Sequence, residues 1–201
     1  MKDIPPGTVN PAVRNETVME FLLTRRSRPA KTLRAPAPDR ADLMPILTAA
    51  SRVPDHGKLE PWRFIVLERE GLDRLAAAAA SHADKMGMTA EQAGKGISQF
   101  SESPLAVAVV RVPRTTEKVP EIEQILSTGA ACVSLVNAAL ASGWGACWLT
   151  GWPAHDHAFA AKALGLQPGE WVAGFVHVGS ESVEPPERPR PDVASLITWA
   201  G

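Results

Sequence analysis

Three short stretches of this chain hold residues whose types and spacing could do chemistry. Arg25-Arg26-Ser27 sets two guanidiniums beside a hydroxyl. Arginine offers a planar fork of donors, so such a triplet can hold a phosphate. The same basic residues also suit the end of a helix, where they meet the negative pole of its dipole. Further on, Arg52-Val53-Pro54-Asp55-His56 is followed by Glu60-Pro61-Trp62-Arg63-Phe64. A proline-rich turn here could bring Arg52 and His56 to the wall of a pocket, or simply join a helix to a strand with Asp55 capping the turn. The third stretch is Gly143-Trp144-Gly145-Ala146-Cys147-Trp148-Leu149-Thr150-Gly151. Its glycines let backbone approach a flat ligand closely, or make a tight turn from helix to strand.

Other reactive residue types carry less. His155-Asp156-His157 could begin a metal site, but no third ligand is identifiable, and no metal is expected. Cys132 and Cys147 lack both a C-x-x-C partner and a basic activator, and read as small buried fillers. Two cysteines do not make a disulfide framework.

The elements that must position these residues follow from apolar spacing and turn signals. Residues 1–14, with Pro5, Pro6, Gly7 and Pro11, read as a flexible arm. A helix is expected from Asn15, with Val18, Phe21 and Leu22 on one face, ending at the R-R-S triplet. A proline-punctuated connector (28–38) leads to a second helix from about Asp39 to Ser51, with Pro45 inside it. Strands are expected at 63–68, 105–112, 146–150 and 171–179. An alanine-rich helix spans 72–82, and 83–103 reads as a mobile helical segment in which Met86, Met88 and Phe100 could form a lid. The longest helix covers 120–142, with Ile122, Ile125, Leu126, Val133, Val136 and Leu140 as its apolar face and Gly143 as its stop. A further helix is expected at 155–164, ended by Gly165. These elements predict an α+β fold, with 15–201 as a single domain.

Composition bounds the class. The chain has 201 residues, 21 Lys+Arg against 22 Asp+Glu, and a formal charge of −1, which argues against nucleic-acid binding. Charged residues at 21% and hydrophobic ones at 45% describe a globular chain rather than a disordered one. The N-terminus has no apolar segment of the secretory kind, and no unbroken apolar run approaches the roughly 18 residues that span a bilayer. A cytoplasmic protein is expected, with no membrane partner. Six tryptophans and no tyrosine suggest that some indoles serve a site or an interface.

Taken in order, R-R-S, then P-D-H and P-W, a long helix, G-x-G-x-x-W-x-x-G and a G-F-x-x-x-G strand resemble the nitroreductase family over roughly residues 16 to 180. The likeness is greatest to the compact subgroup with P-D-H before P-W. The resemblance implies a central, mostly antiparallel sheet flanked by helices, with the long helix at the interface of a homodimer. It implies two FMN molecules at that interface and hydride transfer from NADPH or NADH, through flavin N5, to nitroaromatic, quinone or similar conjugated acceptors by ping-pong kinetics. Carried over by position, Arg25, Arg26 and Ser27 would bind FMN, Arg52 and His56 would reach it from the partner subunit, and Trp148, Leu149 and Thr150 would lie along it. Ala138, Ala139, Leu140, Ala141, Ser142 and Gly143 match a stretch that binds the nicotinamide nucleotide. No side chain is implied as catalytic. Other flavin enzymes on the same scaffold, of dehalogenase or flavin-fragmenting type, and a non-catalytic flavin-binding protein are the alternatives.

Three positions depart from that pattern. Pro29 stands where many members carry a basic residue, leaving Arg28 or Lys31 to supply a cation near the flavin. Leu149 replaces a frequent arginine, and Glu60 replaces an amide before Pro61. In the tail, Arg188 and Arg190 fall where some members place a phosphate-binding base, although the flanking Pro185, Pro186, Pro189 and Pro191 equally suit an extended surface segment.

Overall fold

The apolar run at 105–110 belongs to a strand covered on both faces. A computed structural model describes residues 4, 5 and 7–201; residues 1–3 and 6 of the expected arm lie outside the described residues. In chain order the elements are α1 (Glu16–Thr24), β1 (Leu33–Arg34), α2 (Arg40–Ala50), β2 (Trp62–Leu67), α3 (Arg69–Lys85), α4 (Ala90–Ser101), β3 (Leu105–Arg111), α5 (Glu121–Ala141), β4 (Gly145–Leu149), α6 (Trp152–His155), α7 (His157–Leu164) and β5 (Trp171–Glu181). All strand pairs are antiparallel: β2 with β3, β3 with β5, and β5 also with β4 and β1. The α+β class is as expected. The two-residue β1, hidden in the proline-punctuated connector, was not.

Successive side chains of β3 alternate between two cores. Leu105, Val107 and Val109 pack with Leu43 and Ile46 of α2 and with Ala131, Leu135 and Val136 of α5. Ala106, Ala108 and Val110 pack with Leu72, Leu75 and Ala79 of α3, Phe100 of α4 and Phe159 of α7. Every residue of β3 is buried, which is why its sequence reads as a continuous apolar run.

Four helix starts follow local chemistry. Asn15, Asp39, Thr89 and Asp156 each accept a hydrogen bond from a backbone N–H of the turn that follows. Thr89 and Gln92 close a reciprocal capping box on α4. That box answers the expectation of a mobile segment at 83–103: the region is the end of α3 and all of α4. Phe100 is fully buried rather than part of a lid, and the Trp152 indole lies directly over Gly96, where any Cβ would collide with it. The helix expected at 155–164 is two helices, broken where Asp156 caps the second.

The face of α5 departs most from expectation. Its inward stripe is Gln124, Ser127, Thr128, Ala131, Cys132, Leu135, Val136 and Ala139. Ile122, Leu126 and Val133 are instead 58%, 64% and 46% exposed. The polar members of the inward stripe are satisfied by connecting loops. Gln124 exchanges two bonds with the backbone of Arg114, Ser127 donates to Pro54 O, and Thr128 donates to Pro61 O. Among the described residues, α5 is the one helix long and apolar enough to cross a bilayer by length and composition. It packs on α2 and on strands of the sheet.

Candidate functional site

α1 ends at the R-R-S triplet, which runs beside the start of β4, where Arg28 N–H donates to Ala146 O at 2.8 Å. Among the described residues β4 pairs only with β5, so the triplet and the W-L-T stretch share one edge of the sheet. Arg25 donates to Ser27 Oγ at 3.0 Å, and its buried Nε has no partner. The tail crosses over this segment: Arg26 Nε donates to Pro186 O at 2.8 Å, and Arg190 donates to Arg25 O at 3.4 Å. Four guanidiniums therefore gather here. Arg28 is paired with Glu181 and Arg190 with Glu187, while Arg25 and Arg26 have no carboxylate partner among the described residues. Burial first, and then Arg190, Arg28 and Arg26, hold the Arg25 pKa below its ordinary value. A cleft of about 350 Å³ opens beside them, lined also by Phe21, Leu140, Gly143 and Trp144. An anion with several oxygens is the group that would relieve this excess of positive charge. Of the two tail arginines, Arg190 reaches the cluster, whereas Arg188 makes only a backbone bond to Glu187.

Farther along the same edge, Trp148 and Leu149 are exposed and Thr150 half-buried. Trp148 Nε1 donates to Ala173 O at 3.2 Å, and its ring occupies the space where a Cβ on Gly174 would stand. Gly174, the first glycine of the G-F-x-x-x-G strand, is thus what lets this indole lie flat on the sheet. Leu149 faces a second cleft of about 310 Å³, with Ala30 and Lys31 on one side and Lys95, Ser98 and Gln99 of α4 on another. Nothing in the motifs pointed to Lys95, Ser98 or Gln99. Their signal is tertiary: the Trp152–Gly96 contact brings α4 to this edge.

Arg52 and His56 lie elsewhere. The chain from Ala49 to His56 follows α5 backwards. Ser134 bonds Ala49 O, Ser127 bonds Pro54 O, and His56 Nδ1 lies 2.7 Å from Glu123 Oε2. The loop after His56 is strained but braced. Lys58 and Glu60 adopt φ of 53° and 48°, while the Asp55 carboxylate accepts the Leu59 and Glu60 N–H groups and Arg114 binds Glu60 O. Both Arg52 and His56 are exposed. At 1.5 Å per residue, Glu123 and Leu140 are about 25 Å apart along α5, so one chain does not bring His56 to Arg25.

The 138–143 stretch forms the end of α5 and its turn. Leu140 and Gly143 line the arginine cleft, and Gly143, at φ 84°, makes the turn that only glycine accepts readily. Ala139 is fully buried in the core, the exposed Ser142 hydroxyl donates to Ala138 O, and Ala138 and Ala141 carry only methyl groups. His155, Asp156 and His157 do not converge. Asp156 caps α7 and pairs with His82 at 2.7 Å, and no group of three metal-binding side chains exists among the described residues. The Phe159 N–H and, less, His82 hold the Asp156 carboxyl below its usual range against burial. Both cysteines are buried, which pushes their thiols up to about 12 and leaves them unreactive.

The chain is similar in sequence to YdjA of Escherichia coli strain K12, at 32% identity over 166 residues, covering 83% of this chain and 89% of that one. It is 35% identical over 163 residues to a protein of Haemophilus influenzae, covering 81% and 87%. Both relatives carry provisional names as NAD(P)H nitroreductases. In structure it is similar to a nitroreductase-like family protein from Bacillus cereus, with a TM-score of 0.74, 21% identity and coverage of 96% and 99%. A nitroreductase-named protein from Desulfovibrio desulfuricans, solved with FMN, gives a TM-score of 0.71 at 21% identity and the same coverage. Residues 22–180 match the Nitroreductase family, and the chain is a member of that family.

Proposed function

We propose that the chain is an FMN-dependent oxidoreductase that takes hydride from NADPH or NADH and passes it to nitroaromatic, quinone or similar conjugated acceptors. The observation that carries this reading is the pair of carboxylate-free guanidiniums, Arg25 and Arg26, beside an exposed strand edge floored by Trp148 and Leu149. The residues present suit FMN. Arg25, Arg26 and Arg190 would hold its phosphate, and Ser27, Trp148, Leu149 and Thr150 would flank its ring. Bound there, the flavin supplies a ring that accepts and donates hydride. The chain itself contributes position, charge and exclusion of water, and no side chain is assigned as a general acid or base.

The reading includes a homodimer. Ile122, Leu126 and Val133 leave an apolar stripe on α5 that none of the described residues covers, and α1 exposes Val18, Met19, Leu22 and Leu23. Two α5 helices packed antiparallel about a twofold axis would bring the first turn of one to the last turn of the other. Arg52 and His56 of one subunit would then face the arginine cleft of the next, with Glu123 holding the His56 ring and leaving Nε2 toward the ligand. Residues 15–201 would act as one flavin-binding domain, with 1–14 as an arm, in the cytoplasm.

The test is the visible spectrum of the purified protein before and after anaerobic NADPH and then NADH, with the released flavin identified. Bound FMN that bleaches, and recolours with a nitroaromatic or quinone, is expected. A colourless protein that takes up no added FMN would overturn the proposal. Bound FMN that neither cofactor reduces would leave a flavin-binding protein without this activity.

A further inference from the structure

α3 and α7 touch, but the side chains between them do not fill the space. Ala78 of α3 and Ala158 and Ala163 of α7 contribute only methyl groups there, and a cavity of about 340 Å³ remains. Trp152 stands between this cavity and α4. The His82 ring, which lines the cavity, stacks on the indole with 16° between their planes, while the indole Nε1 donates to Gln92 O of α4 at 3.0 Å. None of the residues around this cavity lines the arginine cleft or the cleft at Leu149.

Two observations say what the cavity suits. One wall is flat and already fixed. His82 Nε2 lies 2.7 Å from Asp156, which is itself held as the cap of α7, and the imidazole also rests against Phe159 with ring centroids 5.3 Å apart. Rings held in this way lose little freedom when another ring is laid against them. The second observation is that the charge is one-sided. Lys85 and Lys162 both line the cavity, neither has an ion pair among the described residues, and no carboxylate belongs to the lining. Ser81 adds a neutral hydroxyl. The larger groove of about 550 Å³ beside α2, β2 and α3 is different: its arginines, Arg40 and Arg74, are already paired with Glu68 and Glu70.

We propose that the cavity between α3 and α7 binds a small aromatic carboxylate, with its ring against Phe159, His82 and the alanine methyls and its carboxylate at Lys85 and Lys162. An inorganic anion would leave the apolar walls without contact, and a neutral arene would leave both ammoniums unused. An apolar pocket with a few polar groups at its mouth is the usual form of a site for such a molecule. The proposal stands apart from the flavin reading, since no residue is shared with it.

The experiment titrates 2-naphthoate into the purified protein with FMN added, followed by calorimetry and by NMR of the alanine methyl groups. Binding with a Kd on the order of 1 mM or tighter is expected for a molecule of this size, with shifts at Ala78, Ala158 and Ala163. Lys85→Met and Lys162→Met should each weaken it about threefold, and the two together about tenfold, as should the neutral analogue 2-naphthalenemethanol in the wild type. Ala158→Phe, a change at an exposed position, fills the cavity and should abolish binding. Failure of the wild type to bind, shifts confined to other alanines, or an affinity that the lysine and Ala158 substitutions leave unchanged overturns the site. Equal affinity for the neutral analogue overturns the role of the lysines, and equal affinity for hexanoate overturns the preference for a ring.

Discussion

The two ends of α5 are built on opposite electrostatic plans. At its C-terminal end, four guanidiniums meet two carboxylates, and Arg25 keeps a buried Nε without a partner. At its N-terminal end several charged side chains find partners within the chain. Glu121 pairs with Arg111 at 2.9 Å, Glu123 with His56, and Arg63 with Glu170 through two parallel bonds nearby. The contact with Arg63 holds the Glu170 carboxyl below its usual range. In the proposed reading one end receives the flavin phosphate, and the other presents Arg52 and His56 to the partner subunit. The lesson is that neither is a complete site, and that a surface can be functional because of what it lacks.

The comparison can be broken or sharpened in several ways. Leu126→Asp puts a charge in the exposed stripe between the ends. It is expected to convert the proposed dimer to a monomer in sedimentation velocity and to lower FMN affinity more than about 100-fold, since the ends would then no longer meet. His177, between β3 and β4 in the sheet, belongs to neither end and serves as a control. Burial pushes its pKa down to about 4 from 6.5. Below about pH 6.5 the unfolded chain binds a proton that the folded chain refuses until about pH 4. Stability is therefore full above that window and falls by about 3 kcal/mol across it as pH drops. Urea titrations from pH 7 to 4 should show this slope, and His177→Gln should flatten it.

Arg25→Ala removes the unopposed charge at the C-terminal end. FMN affinity should fall about 30-fold while the dimer persists, and full flavin occupancy would remove Arg25 from the phosphate site. Gly174→Ala pushes a methyl into the Trp148 ring and should cost about 1–3 kcal/mol of stability, read as a lowered Tm, with weaker flavin binding. The smallest effect is expected from His56→Ala at the N-terminal end: about fivefold weaker FMN binding, or about 1 kcal/mol. If it exceeds the Arg25 effect, the roles of the two ends are reversed.

Much of this was legible in the sequence, and the failures have physical causes. The buried run of β3 and the helix starts near Asn15 and Asp39 are local signals, and they held. The reading of α5 went wrong because a helix with apolar residues all round does not say which stripe its own core takes. Here the core took the stripe containing Gln124, Ser127 and Thr128, whose polar atoms are needed by the loops at Arg114, Pro54 and Pro61. α4 looked loose because Gly94 and Gly96 are poor helix formers. Its stability comes from Trp152, distant in sequence, which needs the missing Cβ at Gly96. The R-R-S and W-L-T stretches were found as motifs. Lys31 was named with them as a candidate cation, whereas Gln99 was not, because its place beside Leu149 follows from the Trp152–Gly96 contact, which no local motif shows.

If the ligand site is shared as proposed, its halves stand about 25 Å apart on one helix, and dilution should matter to it. Flavin retention would become second order in protein: each subunit lost from the pair would strip both of cofactor, and free FMN would pull subunits together by the same coupling. Specific activity would then decline as the assay is diluted, and added FMN would restore it.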